Sequence, residues 1–120
     1  MAQKPIDIGT ELPLTEASYL ILVALAERPM HGYLIMQTIN TVFRTSFQMG
    51  PGTLYRTLQF QAKAGLIRET DESGSNGDDA RRRYYSITKR GRDVARQELQ
   101  RLRALYRLGN ARIGVAYADA

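Results

Sequence analysis

The sequence predicts a mainly α-helical chain carrying one small β-hairpin, and three observations predict it. Four stretches repeat apolar residues at helical spacing. One stretch, from Leu66 to Ile87, instead reads as two short extended runs around a tip rich in Ser, Gly, Asn and Asp. The chain has 120 residues, 43% of them apolar, which suits one domain with an appended helix.

Composition removes several function classes. There is no cysteine and a single histidine, so disulfides, thiolate metal sites and the usual zinc constellations are excluded. No metal and no cofactor are expected. No Gly-rich phosphate loop follows a strand. Asp78 and Asp79 are adjacent carboxylates, but they fall in the turn-rich tip, where solvation is the ordinary fate of such a pair. The chain is not expected to be an enzyme. Its longest apolar run, Tyr19 to Ala26, is too short to cross a bilayer, and its start lacks the pattern of a signal peptide, so the cytoplasm is the expected location.

Residues 1–12 contain Pro5 and Gly9 and show no period, as a flexible arm would. Thr15 is a candidate N-cap for the first helix, Glu16 suits the positive end of its dipole, and Leu14 is placed to staple against Tyr19. Tyr19, Leu20, Leu22, Val23, Leu25 and Ala26 cover most of the circumference, so this helix should be largely buried until Pro29 ends it. His31-Gly32-Tyr33 opens a second helix that should reach about Phe43, with a stripe of Leu34, Ile35, Ile39, Val42 and Phe43. The lone His31, at a helix entry, reads as a capping or packing residue rather than a ligand.

The third helix is the most sharply bounded. Gly50 can serve as N-cap, Pro51 fits the first helical position, and Gly65 can take the left-handed conformation that closes a helix. Leu54, Leu58, Ala62 and Gly65 form its expected packed side, while Thr53, Arg56, Thr57 and Lys63 point elsewhere. Alone, this is either a core helix or one built for display. In the hairpin, Leu66 to Thr70 is the outgoing strand. Arg81 to Ile87 returns with Arg83, Tyr85 and Ile87 on one face. Thr88 then caps a last helix whose first turn carries Lys89 and Arg90. Cations there oppose the helix dipole, which favours a contact role over a stabilising one.

Along that helix Ala95, Leu99, Leu102, Tyr106 and Gly109 repeat at 4-3-4-3 spacing, widened by Leu105 and Leu108. The stripe either meets the same helix of a second copy or folds back on the first helix; a homodimer is the favoured account, since nothing downstream is left to cover it. Charge points to the remaining partner. The net charge is +5, yet eleven cations and two acids lie between Arg81 and Arg112, leaving −4 for the rest. Such an excess is either a solvated helix surface or the footprint of a polyanion.

The order helix, helix, helix, hairpin, helix describes a winged helix-turn-helix over residues 13–91, followed by a C-terminal dimerisation helix and tail over 92–120. In that architecture the third helix enters the major groove and the wing lies on the backbone or in the minor groove. Double-stranded DNA is thus the expected partner. Arg56 could read guanine, and Thr53 and Thr57 could meet a thymine methyl or a phosphate. Arg81, Arg82 and Arg83 sit on the wing, where phosphate or minor-groove contact is expected.

The chain also resembles the PadR family of transcriptional regulators. The matching pieces are L-T-E-A-S-Y-L-I-L-V-A-L at 14–25, H-G-Y at 31–33, G-T-L-Y-R-T-L at 52–58, G-L-I at 65–67 and R-Y-Y-S-I-T-K-R-G at 83–91. The resemblance implies a homodimeric repressor on a near-palindromic operator, dimerised through the C-terminal helix, and a small aromatic effector in many members. With it, the DNA-contacting set becomes Tyr33, Thr53, Tyr55, Arg56, Thr57, Lys63, Arg81, Arg82, Arg83, Lys89 and Arg90. The dimerising set is Ala95, Leu99, Leu102, Leu105, Tyr106 and Gly109. Phe60 and Gln61 depart from the arginine and leucine usual in the family. Gln61 falls on the packed side of the third helix and needs a hydrogen-bond partner there. The competing account is a winged-helix module that binds another protein without reading DNA.

Overall fold

The structure is a computed structural model that describes residues 12–70 and 83–114. Helix α1 spans Glu16–Glu27, strand β1 Met30–His31, helix α2 Gly32–Gln37, helix α3 Pro51–Lys63, strand β2 Ile67–Thr70, strand β3 Tyr84–Ile87 and helix α4 Lys89–Arg112. Residues 1–11 of the expected arm and the tip of the hairpin, with Arg81 and Arg82, lie outside the described residues. Leu12 packs against the core.

The helix starts follow the expected chemistry. Thr15 accepts a hydrogen bond from the Ser18 amide at 3.0 Å, and Thr88 accepts one from Gly91 at 3.0 Å. Each satisfies an amide that has no partner within its helix. His31 caps α2, its Nδ1 accepting from the Leu34 amide at 3.2 Å, and its ring meets Tyr84 edge-on with centroids 5.2 Å apart. That is the capping and packing role anticipated for it.

Two features differ from the sequence reading. The second helix is α-helical only to Gln37 and continues through Thr38–Val42 as a π-helical turn. The link that follows is held by Asn40, whose Oδ1 accepts from the Met49 amide at 2.7 Å and whose Nδ2 donates to the Met49 carbonyl at 2.9 Å. The sheet also has a third strand. Its antiparallel order is β1-β3-β2, with Met30 opposite Tyr85 and Glu69 opposite Tyr85 on the other side. Two residues between Pro29 and a helix are too few to announce a strand by alternation. Their effect is that β3 becomes central, and both Tyr84 and Tyr85 are buried.

The core gathers α1, the inner sides of α2 and α3, and the sheet: Ile21, Leu22, Leu25, Met30, Ile35, Ile39, Leu54, Leu58, Leu66 and Ile67 are each at most 2% exposed. The first turns of α4 close it with Val94. Gly91 makes that closure possible. A Cβ there would collide with the Leu66 carbonyl oxygen and come 2.9 Å from Ile87 Cγ1, so only glycine lets α4 leave the sheet at this angle. Among the described residues, no helix is long and apolar enough to cross a membrane.

Candidate nucleic-acid interface

Helix α3 is fixed to the domain along one side. Leu54, Leu58 and Gln61 are buried there, and Ala62, expected on that side, is exposed. Gln61 finds the partner it needs: its Nε2 donates to the Ser18 carbonyl at 3.0 Å and to Ser18 Oγ at 2.8 Å. The bond ties α3 to the first turn of α1. At 100° per residue, the direction opposite this anchored side passes through Arg56, Gln59, Phe60 and Lys63, all exposed. Thr53 and Thr57 stand half-buried on one flank. Gln59 and Phe60 were absent from the sequence-derived set, although the angle from Leu54 and Leu58 already places them on the outer face.

Tyr55 occupies the other flank, 53% exposed. Its ring lies across the start of α2: a Cβ on Gly32 would come 2.8 Å from the Tyr55 hydroxyl oxygen. The glycine of H-G-Y and the tyrosine of G-T-L-Y are therefore two halves of one contact. Tyr33, next to that glycine, is 59% exposed. A cleft of about 300 Å³ opens between Tyr33, Tyr55, Arg83 and Tyr85, floored by His31 and Gly32. A second, of about 650 Å³, runs on past Tyr55, Gln59 and Lys63 to Glu69 and Arg83. The fold thus brings Tyr33, Tyr55, Lys63 and Arg83 around one groove between α3 and the wing.

Arg83 Nη1 lies 2.9 Å from Glu69 Oε2 across the two wing strands, with both side chains more than half exposed. An ion pair so open to water contributes little, and it can exchange its carboxylate for a phosphate. Burial, and then the nearby Glu69 carboxylate, push the Tyr85 phenol above its usual pKa, so it remains a neutral hydroxyl at the foot of the groove. Lys89 and Arg90 line neither cleft. Lys89 pairs with Asp93 at 3.0 Å, and the Arg90 Cδ sits 3.5 Å from where a Gly65 Cβ would be.

The basic C-terminal third is in part turned inward. Arg92 Nη2 donates to the Ala26 carbonyl at 3.1 Å, covering the C-terminal end of α1. Arg96 pairs with Asp93 at 3.3 Å, and Arg101 makes a two-point contact with Glu98 at 2.9 and 2.7 Å. Glu98 is 2% exposed and also accepts from the Leu14 amide. The Arg101 hydrogen bonds hold its carboxyl below the usual range, against the opposing effect of burial. Several cations that looked like a polyanion footprint therefore have structural partners within the chain.

Beyond Glu98 no residue of α4 is buried. Leu99, Leu105, Tyr106 and Leu108 are 51–55% exposed and Leu102 36%. Ala95, at the head of the expected stripe, instead packs partly against the chain's own core.

The profile described as "Transcriptional regulator PadR-like family" matches residues 21–97. A curated relative, an uncharacterized 37.1 kDa protein in transposon TN4556 of Streptomyces fradiae, is 35% identical over 83 residues. That match takes in 69% of this chain and 22% of the relative, so the shared stretch spans about a fifth of that protein's length. A PadR family transcription regulator from Clostridium difficile R20291 is a similar solved structure, with a TM-score of 0.68 and 25% identity over 81% of this chain and 97% of that one. A transcriptional regulator from Clostridium thermocellum shares the fold with a TM-score of 0.67 at 23% identity, covering 81% of this chain and 89% of the other. The chain belongs to the PadR-like family of transcriptional regulators.

Proposed function

We propose that this chain is a homodimeric repressor that binds a near-palindromic operator, with α3 in the major groove and the wing on the backbone or in the minor groove. The observation that carries the reading is the bare outer face of α3, where Arg56 and Lys63 are exposed opposite the side anchored by Leu54, Leu58 and Gln61. Arg56 reads a base edge in this account, with guanine O6 and N7 as its natural partners. Thr53 and Thr57, on the flank, meet the adjacent strand. Tyr33, Tyr55, Lys63 and Arg83 take phosphates along the groove, and Arg81, Arg82, Lys89 and Arg90 add further phosphate contacts.

Dimerisation through α4 gives the operator its symmetry. The helix is 24 residues long, and beyond Glu98 it leaves Leu99, Leu102, Leu105, Tyr106 and Leu108 exposed on a stripe that continues to Gly109. Residues 13–91 act as the reading unit and 92–120 as the pairing unit. A small aromatic effector belongs to the same reading, and the tyrosine-lined cleft is one place of fitting size.

The test is selection of bound DNA by the purified protein from genomic fragments, repeated with candidate aromatic ligands, followed by the same binding with Arg56→Ala. A symmetric consensus should emerge, and Arg56→Ala should relax one position of it by about 1–3 kcal/mol. Equal affinity for selected and random DNA would remove the reading. Together with a stable complex to another protein, it would favour the interaction-module account.

A further inference from the structure

The outer face of α3 carries one large apolar side chain among its polar ones. Phe60 is 49% exposed and lies on the side away from the core line of Leu54, Leu58 and Gln61. Arg56 precedes it by one turn and Lys63 follows it by three residues, so the ring is flanked on its own face by two cations that suit a polyanion. An aromatic ring at such a place gains nothing from phosphate. The apolar feature that the major groove offers is the C5-methyl group of thymine, and the minor groove has none.

We propose that Phe60 is a specificity-determining residue that packs on a thymine methyl in the operator. The proposal rests on the placement of α3 in the major groove. Four residues along a helix advance about 6 Å, which is just under two base-pair steps of about 3.4 Å. The thymine therefore lies one to two base pairs from the guanine read by Arg56, toward the C-terminal end of α3.

The experiment uses the full chain and its selected operator, with each thymine of the half-site replaced in turn by deoxyuridine, which removes only the methyl. Wild type should lose about fourfold in affinity per methyl at one position in each half-site, the value expected for one buried methyl-sized group. Phe60→Ala should bind the thymine and uracil operators equally, and Phe60→Leu should retain part of the difference. Far-UV circular dichroism of both variants should match wild type, because the ring is not part of the core. Wild type that binds both operators equally at every position would overturn the proposal while leaving the repressor reading intact. So would Phe60→Ala that keeps the discrimination, or that loses affinity for both operators by the same factor. Wild type that does not prefer the selected operator over scrambled DNA would overturn both.

Discussion

Gln61 is the residue whose replacement examines most closely how helix α3 is held. Its side chain is 0% exposed and donates at 3.0 and 2.8 Å to the Ser18 carbonyl and hydroxyl, while its Oε1 accepts from no group among the described residues. Each buried neutral hydrogen bond contributes about 1 kcal/mol net, and truncation to alanine also leaves a cavity, so Gln61→Ala should cost about 2–4 kcal/mol. Leucine refills most of the volume and removes the buried acceptor, whose desolvation costs about 1–3 kcal/mol. The pair Ser18→Ala with Gln61→Leu should therefore be as stable as wild type or more so, while Gln61→Ala is well below it. Urea unfolding followed by circular dichroism, at one fixed protein concentration because the stability of the proposed dimer would depend on it, measures all the variants. The cycle between Ser18→Ala and Gln61→Ala should show a coupling of about 1 kcal/mol. A coupling near zero, or a Ser18→Ala/Gln61→Leu pair as unstable as Gln61→Ala, would refute the argument that the Gln61 amide hydrogen bonds fix α3 to α1.

Three further outcomes follow from the geometry. Gly91→Ala drives a Cβ into the Leu66 carbonyl and Ile87, and should destabilise by about 1–3 kcal/mol in the same unfolding assay. Glu98 is held below its ordinary pKa by Arg101, so folding favours its charged form. Its contribution is present above its unfolded value near 4.5 and is lost as the pH falls through its lower folded value. Glu98→Gln should accordingly flatten the acid limb of a stability-versus-pH curve. Leu102→Glu places a charge in the exposed stripe of α4 and should give a folded monomer by sedimentation velocity, with operator affinity falling at least tenfold as the second half-site is lost.

Much of this molecule is written in local chemistry. Thr15, Pro51, Thr88 and the apolar periods located the starts of three helices within a residue or two, because capping and amphipathic spacing are short-range signals. Strand β1 escaped because two residues carry no alternation, and its pairing depends on β3, more than fifty residues downstream. The shortening of α2 escaped because a π-helical turn keeps nearly the same apolar stripe. At the candidate interface, Arg56 and Lys63 were readable from their angle on α3, and so were Gln59 and Phe60 once Leu54 and Leu58 were taken as the inner side. The partners of Arg92, Arg96 and Arg101 were harder. The carbonyl of Ala26 lies 66 residues from Arg92 in sequence, and a count of charges does not show which cations the fold has already engaged.

The groove between α3 and the wing is the centre of the account, and its most direct test is salt. Fluorescence anisotropy of the selected operator and of a scrambled duplex, each titrated from about 50 to 200 mM salt, separates phosphate contact from base reading. The account predicts straight lines in log K against log salt, with slopes near −0.9 per phosphate neutralised. The slope should become less steep by about one unit per half-site in Arg83→Ala, while the preference for operator over scrambled DNA survives. A flat salt dependence, or a slope unchanged when Arg83 is removed, would contradict it.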